Sequence, residues 1–350
     1  MKSILITGGA GFIGSHTCLV LLEKGYQVFV IDSFKNSSRK SLDRVLEIFN
    51  NRNTNSEKVL NIFKGDLCDQ DFLKFVFGEI RKNNIKIDGV IHFAGYKSVL
   101  ESIKDPIKYW KNNVLATINL LEMMDKNSCR NFVFSSSATV YSQKNDFPFK
   151  ENSEVSPINP YGNTKLSVEI LLEDIFKSSI KEWKIASLRY FNPIGAHDSG
   201  LIGEDPNGLP NNIFPLITNT AIGLQKELKI FGNDWPTEDG TPVRDFIHVM
   251  DLAESHIQVL EYLMRIESTY LNLNIGTGKG TSVLELVKTF EKVNDVKIPY
   301  VFVNRRPGDS CYVVADNSLS ISKLNIIPKK DIEDMCRDGW RWKKLNPNGY

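Results

Sequence analysis

The segment that most limits what this chain can fold into is Ile4-Leu5-Ile6-Thr7-Gly8-Gly9-Ala10-Gly11-Phe12-Ile13-Gly14. An apolar, β-branched run passes directly into glycines at 8, 11 and 14, and a helical pattern over Phe12–Lys24 follows at once. A strand entering a helix through so short a turn needs glycine for physical reasons. Gly8 allows the tight turn, Gly11 lets a pyrophosphate approach the backbone, and Gly14 lets the helix pack close to the sheet. The helix N-terminus, with its unpaired amides, then faces the phosphates. A glycine-rich turn that binds nothing has the same local sequence, so the rest of the chain has to decide.

The first half alternates short β-rich runs with helical patterns. Strands are expected over Ser3–Thr7, Gln27–Ile31, Val59–Lys64, Gly89–His92, Asn131–Ser135 and Lys184–Arg189. Helices are expected over Phe12–Lys24, Arg39–Phe49, Asp71–Asn83, Pro106–Lys126 and Pro160–Ser178, and a polar surface loop over Asn50–Ser56. Strand–helix–strand repetition predicts an α/β fold, a doubly wound parallel sheet of the Rossmann type with helices on both faces. After about Tyr190 the rhythm breaks, and Gly- and Pro-rich stretches such as Asn192–Pro210 and Gly232–Pro242 interrupt shorter elements. Residues 1–190 therefore read as a dinucleotide-binding domain and 191–350 as a smaller, irregular α/β substrate lobe. The boundary is soft, with segments expected to interchange, because a site at the C-terminal sheet edge would draw residues from both halves.

Composition excludes several classes of function. Forty-three basic side chains face 42 acidic ones, with no block of like charge, so neither a nucleic acid nor a membrane surface is an expected partner. No apolar run approaches the ~18 residues of a membrane-spanning helix, and the N-terminus turns to glycine too early for a signal peptide. The five cysteines, Cys18, Cys68, Cys129, Cys311 and Cys336, are scattered and form no C-x-x-C pair. Neither a disulfide framework nor a metal site is expected, and a cytoplasmic setting fits best.

Two further features give the glycine turn its context. The second strand ends in Val30-Ile31-Asp32, about 20 residues on, where a carboxylate can take the adenosine ribose hydroxyls. That carboxylate also repels a 2′-phosphate, which favours NAD over NADP. Gly65-Asp66-Leu67 follows the third strand, and Asp66 reads equally as an adenine contact or as a turn aspartate. Tyr161 and Lys165 form a Y-x-x-x-K pair, and on a helix residues four apart share a face. A tyrosine ordinarily ionises near pH ~10. A neighbouring ammonium and the positive nicotinamide ring favour its phenolate, which can take a hydroxyl proton at neutral pH. Phe134-Ser135-Ser136-Ser137 ends the fifth strand, and a serine there can bind the same reacting oxygen.

With these residues in view, the chain resembles the UDP-glucose 4-epimerase family of extended short-chain dehydrogenases/reductases. The likeness runs nearly end to end, through Thr7–His16, His92-Phe93-Ala94-Gly95, Ser135–Tyr141, Leu188–Pro193 and Val243–Val249. The resemblance implies Ser137, Tyr161 and Lys165 as catalytic residues that also touch NAD, the first two touching the sugar as well. It places further NAD contacts on Gly8, Gly11, Phe12, Ile13, Gly14, Asp32, Asn36, Ser37, Asp66, Leu67, Phe93, Ala94, Gly95, Lys97 and Asn112. Phe191 falls with both the cofactor and the nucleotide-sugar contacts. The latter continue through Asn192, Asn212, Lys229, Ile230, Phe231, Arg244, Arg306, Asp309 and Val313. Two arginines suit a diphosphate, although Arg244 and Arg306 read equally as surface ion-pair residues when taken alone.

The implied reaction, in galactose and nucleotide-sugar metabolism, interconverts UDP-glucose and UDP-galactose. Carbon 4 is oxidised against NAD, the 4-keto sugar turns, and the hydride returns to the other face; the expected assembly is a homodimer. A sugar-nucleotide dehydratase would need a further acid/base pair, and Ala138-Thr139-Val140 after Ser137 offers no carboxylate. A 4-epimerase of UDP-N-acetylglucosamine or UDP-glucuronate, or an NAD-sensing module without turnover, remain the rival readings. The family also implies a size rule. Members restricted to the non-acetylated sugars tend to carry tyrosine four residues after the aspartate that corresponds to Asp309. Here that position is Val313, with Tyr312 one place early. In a strand, adjacent side chains point to opposite faces, so Tyr312 does not replace the missing ring.

Overall fold

The structure, a computed structural model, describes residues 1–52, 59–178, 182–206, 208, 210, 212–306 and 308–350. Of the loop expected over 50–56, residues 53–56 lie outside the described residues.

In chain order the first half runs β1 (Ser3–Thr7), α1 (Phe12–Glu23), β2 (Gln27–Asp32), α2 (Arg39–Arg52), β3 (Leu60–Lys64), α3 (Gln70–Lys82), β4 (Ile87–His92), α4 (Val99–Lys104), α5 (Pro106–Tyr109), a π-helical segment (Trp110–Leu115), α6 (Ala116–Lys126), β5 (Asn131–Ser137), a 3-10 turn (Ala138–Val140), α7 (Pro160–Lys177) and β6 (Lys184–Tyr190). The remainder runs β7 (Asn192–Ile194), α8 (Ile213–Ala221), β8 (Leu228–Phe231), β9 (Val243–His248), α9 (Val249–Arg265), β10 (Thr269–Ile275), β11 (Gly280–Ser282), α10 (Val283–Asn294), β12 (Tyr300–Val303), β13 (Tyr312–Val313), α11 (Ser318–Leu324) and α12 (Ile332–Leu345). Among the described residues no helix is long and apolar enough to cross a membrane.

The main sheet has seven strands in the order β10-β6-β5-β4-β1-β2-β3. Its central strands pair in parallel, β1 with both β2 and β4, β2 with β3 and β4 with β5. Every residue of β1 is buried, as a strand covered on both faces requires. Leu5, Phe29, Val90, Phe132 and Phe134 pack on one face with Val168 and Leu172 of α7. The strand order reverses between β1 and β4, and at such a switch point the carboxyl ends of the strands open a crevice. This is the doubly wound α/β architecture.

Two elements depart from the sequence expectation. The sheet gains an unforeseen seventh strand, β10, at its edge beside β6. The helix expected over Pro106–Lys126 is broken by the π-helical segment Trp110–Leu115. A π turn inserts an extra residue into the helix, and here the loosened turn is tied by side chains, with Asn112 Nδ2 donating to the Lys108 carbonyl at 2.9 Å and Thr117 Oγ1 to the Asn113 carbonyl at 2.6 Å.

The chain divides into two units. Unit 1 comprises Met1–Ser142, Glu154–Arg189 and Ala253–Leu273; unit 2 comprises Gln143–Ser153, Tyr190–Leu252 and Asn274–Tyr350. Unit 2 has its own core, in which Phe214, Phe290 and Trp340 meet edge to face at 6.0 and 5.6 Å between ring centres, joined by Ile230, Phe246 and Leu286. Its strands form small sheets: β9 lies between β11 and β13 and also pairs with β7, while β12 pairs with β8.

Candidate active site

In unit 1 the glycine turn is as tight as its sequence suggests. Gly8 has φ +71, and a Cβ there would stand 2.7 Å from the Ala94 amide nitrogen, so the β1 turn and the end of β4 are in backbone contact. A Cβ on Gly14 would stand 2.3 Å from the Gly8 carbonyl oxygen. Gly11 caps α1 with extended backbone and no side-chain hydrogen bond, which leaves the amides of Phe12 and Ile13 uncapped by any side chain. Those amides, together with the positive end of the helix dipole, are a site for an anionic diphosphate.

Asp32 ends β2 and is buried. One carboxylate oxygen accepts from the Ala10 amide at 2.9 Å; the other accepts from the Phe34 amide at 2.8 Å and from the Ser37 hydroxyl at 2.9 Å. The acid thus ties the glycine turn to the loop carrying Asn36 and Ser37. Asp66 is more than a turn residue, for it accepts from Lys35 Nζ at 2.7 Å. Burial raises its pKa, but the hydrogen bonds from Lys35 and the Cys68 amide outweigh that and leave it below the ordinary carboxylate range. Leu67 packs in the core, so only its backbone is available to a ligand. The Phe93 amide donates to the Thr7 carbonyl at 2.9 Å, Gly95 has φ +155, and Lys97 is exposed.

Helix α7 starts where Asn159 caps it, its side chain accepting from the Gly162 amide at 2.9 Å, with Pro160 in the first turn, the position where a missing N–H costs nothing. Tyr161 and Lys165 are both buried on this helix. Lys165 Nζ donates to the Ser135 carbonyl at 2.6 Å and lies 4.9 Å from the centre of the Phe134 ring and 5.9 Å from that of Tyr161. Burial pulls the lysine down to about 8, against the opposing charge of Glu169. Tyr161 differs from expectation. Burial raises its phenol above the ordinary value, and the hydrogen bond with Ser137 only partly opposes this. Desolvation therefore dominates the phenol in the protein by itself. The Ser137 hydroxyl oxygen accepts from the Thr139 amide at 3.2 Å and the Thr139 hydroxyl at 3.0 Å.

Asn113 is a unit 1 residue that sequence reasoning passed over. It is buried in the π-helical segment. Its Oδ1 accepts from the Tyr96 amide at 2.8 Å, and its Nδ2 donates to the Tyr96 carbonyl and to Thr164 Oγ1, both at 3.0 Å. It joins the Gly95 turn to the first turns of α7. The signal was an Asn-Asn pair inside a helical pattern, where asparagine is a poor helix former.

Unit 2 holds the second group. Phe191 is buried, and its amide donates to the Ile275 carbonyl at 3.3 Å; Asn192 opens β7 opposite Phe246. Asn212 donates to Glu204 at 3.0 Å. On β8, Lys229 is exposed while Ile230 is 1% exposed, so any ligand contact of Ile230 is through its backbone. The Arg306 guanidinium lies 3.9 Å over the Phe231 ring centre. Arg244 pairs with Asp309, and its side chain is only 14% exposed, which is not the environment of a surface ion pair. Burial lowers its pKa and the Asp309 charge opposes this. Val313 lies beside Arg244 in the β13–β9 register. Asp245, also passed over, is fully buried and accepts from Thr277, Gly278 and Ala315, which fixes the strand that carries Arg244.

A family model described as GDP-mannose 4,6 dehydratase matches residues 5–339. UDP-glucose 4-epimerase 2 of Arabidopsis thaliana is 49% identical over 349 residues, covering 100% of this chain and 97% of that protein. UDP-glucose 4-epimerase of Bacillus subtilis (strain 168) is 48% identical, covering 99% of this chain and 98% of that one. This chain belongs to the UDP-glucose 4-epimerase family. The fold of the family is shared as well: a crystal structure of UDP-glucose 4-epimerase from Bifidobacterium longum in complex with NAD+ and UDP superposes with a TM-score of 0.92 at 42% identity, covering 100% of both chains.

Proposed function

We propose that the protein is an NAD-dependent UDP-hexose 4-epimerase that interconverts UDP-glucose and UDP-galactose. The observation that carries this reading is the trio of Ser137, Tyr161 and Lys165 at the junction of β5 and α7, in a chain of this family. The uncapped start of α1, the glycines that let backbone approach backbone, and Asp32 at the end of β2 fit a dinucleotide. They would hold its diphosphate and adenosine ribose, with Asp66, Asn112 and Lys97 as further polar contacts. Bound NAD supplies the acceptor, and later the donor, of a hydride.

The chain's own residues do the rest. The Tyr161 phenolate takes the proton of the sugar 4-hydroxyl and later returns it. Ser137 binds the same oxygen and positions it. Lys165 offsets the phenolate charge in a site where burial alone keeps the phenol protonated. Arg244 and Arg306 anchor the diphosphate, which allows the 4-keto sugar to turn without leaving. The turn after Ser137 is Ala138-Thr139-Val140, without the carboxylate that a dehydratase requires.

Five free cysteines, three of them buried, support a cytoplasmic enzyme. The exposed apolar side chains Leu100, Ile103 and Ile107 on α4 and α5 support a homodimer, to be checked by light scattering in solution. The reaction is tested by incubating purified protein with a panel of UDP-sugars. UDP-galactose and UDP-glucose interconvert without net NADH release. Steady NADH release at the rate of turnover indicates a dehydrogenase, and absence of turnover leaves only a binding module.

A further inference from the structure

Tyr161, Lys165 and Glu169 follow one another at intervals of four on α7, and all three are buried. Residues so spaced share a helix face, so a carboxylate stands behind the two residues assigned to the reaction, and the proposed chemistry makes no use of it. It is nonetheless fully engaged. Glu169 Oε1 accepts from the Ser136 hydroxyl at 2.5 Å and from Arg189 Nε at 3.0 Å, and Oε2 accepts from Arg189 Nη2 at 2.7 Å. Arg189, on β6, also donates from Nη1 to the Tyr141 hydroxyl at 3.1 Å. The Glu169 carbonyl accepts from the Tyr270 hydroxyl at 3.0 Å.

The side chains of this pair are 4% and 3% exposed. Taking two charges out of water is costly, and apolar residues of similar volume often stabilise a core as well or better. Stability alone therefore does not account for the pair, but its contacts do. The end of β5 is held twice by α7, the Ser135 carbonyl by Lys165 and the Ser136 hydroxyl by Glu169. The next residue is Ser137. Lys165 is faced by Tyr161 and Glu169 from its own helix, by the Phe134 ring and the Ser135 carbonyl from β5, and by His92 from β4. Burial pushes His92 down to about 3, so it is neutral and supplies no counter-charge. Arg189 on β6 holds the Glu169 carboxylate.

We propose that Glu169, held by Arg189, is a positioning residue of the active site: it fixes the strand end that presents Ser137 and supplies the negative charge that keeps Lys165 an ammonium. The inference rests on the roles proposed for Tyr161 and Lys165. Removing the carboxylate leaves Lys165 with burial unopposed, so the lysine loses its proton at lower pH. The Tyr161 phenolate then lacks its cation and forms only at higher pH. Both limbs of the pH–rate curve move inward.

The test uses the enzyme with its bound NAD, in four forms: wild type, Glu169→Gln, Glu169→Asp, and the double variant Glu169→Gln/Arg189→Met, which removes the carboxylate and its guanidinium partner together. Tyr161 ionisation is read without turnover, by ultraviolet difference titration against Tyr161→Phe, and kcat is followed across pH. In Glu169→Gln and the double variant the Tyr161 titration rises by roughly one pH unit and the alkaline limb of kcat falls by a similar amount. Glu169→Asp keeps the charge and stays near wild type. The double variant is as heat-stable as wild type or more so, which separates positioning from stability. A folded double variant whose two curves superpose on wild type overturns the proposal, as does a Glu169→Asp protein whose limbs move as far as those of Glu169→Gln. A wild-type protein that fails to epimerise UDP-hexoses sinks the proposed reaction instead, and the difference titration still reads the pair.

Discussion

Two arginine–carboxylate pairs show how differently the two units are built. Arg189 and Glu169 in unit 1 bridge a strand and a long helix of regular structure, and their side chains are nearly closed to water. Arg244 and Asp309 in unit 2 join a short strand to the segment before the two-residue β13, and their side chains are 14% and 27% exposed. The first pair has spent its donors on the protein: Arg189 holds Glu169 twice and Tyr141 once. The second is less closed to water, and in the proposed reaction the substrate diphosphate would compete with Asp309 for the guanidinium. The inaccessible pair suits the fixing of groups that move protons, whereas the reachable pair suits the gripping of a ligand. The chemical groups of unit 1 should then affect kcat, and the arginines of unit 2 should affect binding.

The largest effect tests the first half of that contrast. Tyr161→Phe keeps the ring in its buried place and removes only the oxygen. Turnover of UDP-galactose is expected to fall by about 10³-fold, while the NAD content of the purified protein stays at wild-type level. A variant with near-normal kcat would remove Tyr161 from the reaction. Wild type should also lose activity as pH rises through about 8, where the buried Lys165 gives up its proton. The sign follows from the charge: the ammonium is needed, and its pKa is depressed, so this requirement is met below that value and lost above it.

Arg244→Ala tests the other half. On the proposed reading it removes a diphosphate contact and leaves the Asp309 carboxylate facing an anionic ligand. UDP affinity by calorimetry should fall by about 10²-fold, with kcat at saturation changed far less. A fall confined to kcat would mean that the accessible pair takes part in chemistry, and the contrast between the units would fail. A smaller effect, also on binding, concerns the cofactor. Asp32 is a buried carboxyl group at the end of β2, where it would stand against a 2′-phosphate. NADP should bind at least about 10-fold more weakly than NAD, and equal affinities by equilibrium dialysis would refute the assignment of Asp32.

The same contrast governs what the sequence made visible. In unit 1 the glycine turn, Asp32 and the Tyr161/Lys165 spacing could be read because strands and helices repeat, and residues at fixed intervals land on known faces. The π-helical segment was hidden, since an extra residue in a helix leaves the apolar pattern almost intact, and Asn113 was missed with it. β10 carries a visible alternation in Tyr270-Leu271-Asn272-Leu273-Asn274-Ile275 but follows a long irregular stretch, so its place beside β6 could not be inferred from order. Arg189 and Asp245 shared one legible sign, a charged residue within a strand expected in the core, which must have a partner when buried. In unit 2 the candidate ligand residues are scattered over strands of two to six residues, the cap of α8 and the loops between them. No periodicity connects Asn212 with Arg244 or Val313, and only the family resemblance brought them together.

The smallest expected effect concerns sugar size, and it depends on a strand of two residues. Tyr312 and Val313 do form β13, in register with Val243 and Arg244 of β9. The Tyr312 ring is engaged, stacked on Phe147 with 4.2 Å between ring centres and 15° between planes. It is therefore not free to take the place of the ring that Val313 lacks. Val313 is itself half-buried, and valine leaves most of a ring's volume open. If that volume is part of the sugar site, an acetamido group at carbon 2 can enter it. Wild type should then turn over UDP-N-acetylglucosamine measurably, with the UDP-glucose pair preferred. Val313→Tyr should lower kcat/KM for the acetylated sugar by up to about 10-fold and leave UDP-galactose nearly unchanged. Kinetics on both pairs decide the matter. No turnover of the acetylated sugar by wild type, or undiminished turnover by the tyrosine variant, would make Val313 a packing residue. Loss on both sugars alike would show that the new ring disturbs the β9 strand and Arg244 instead of closing a pocket.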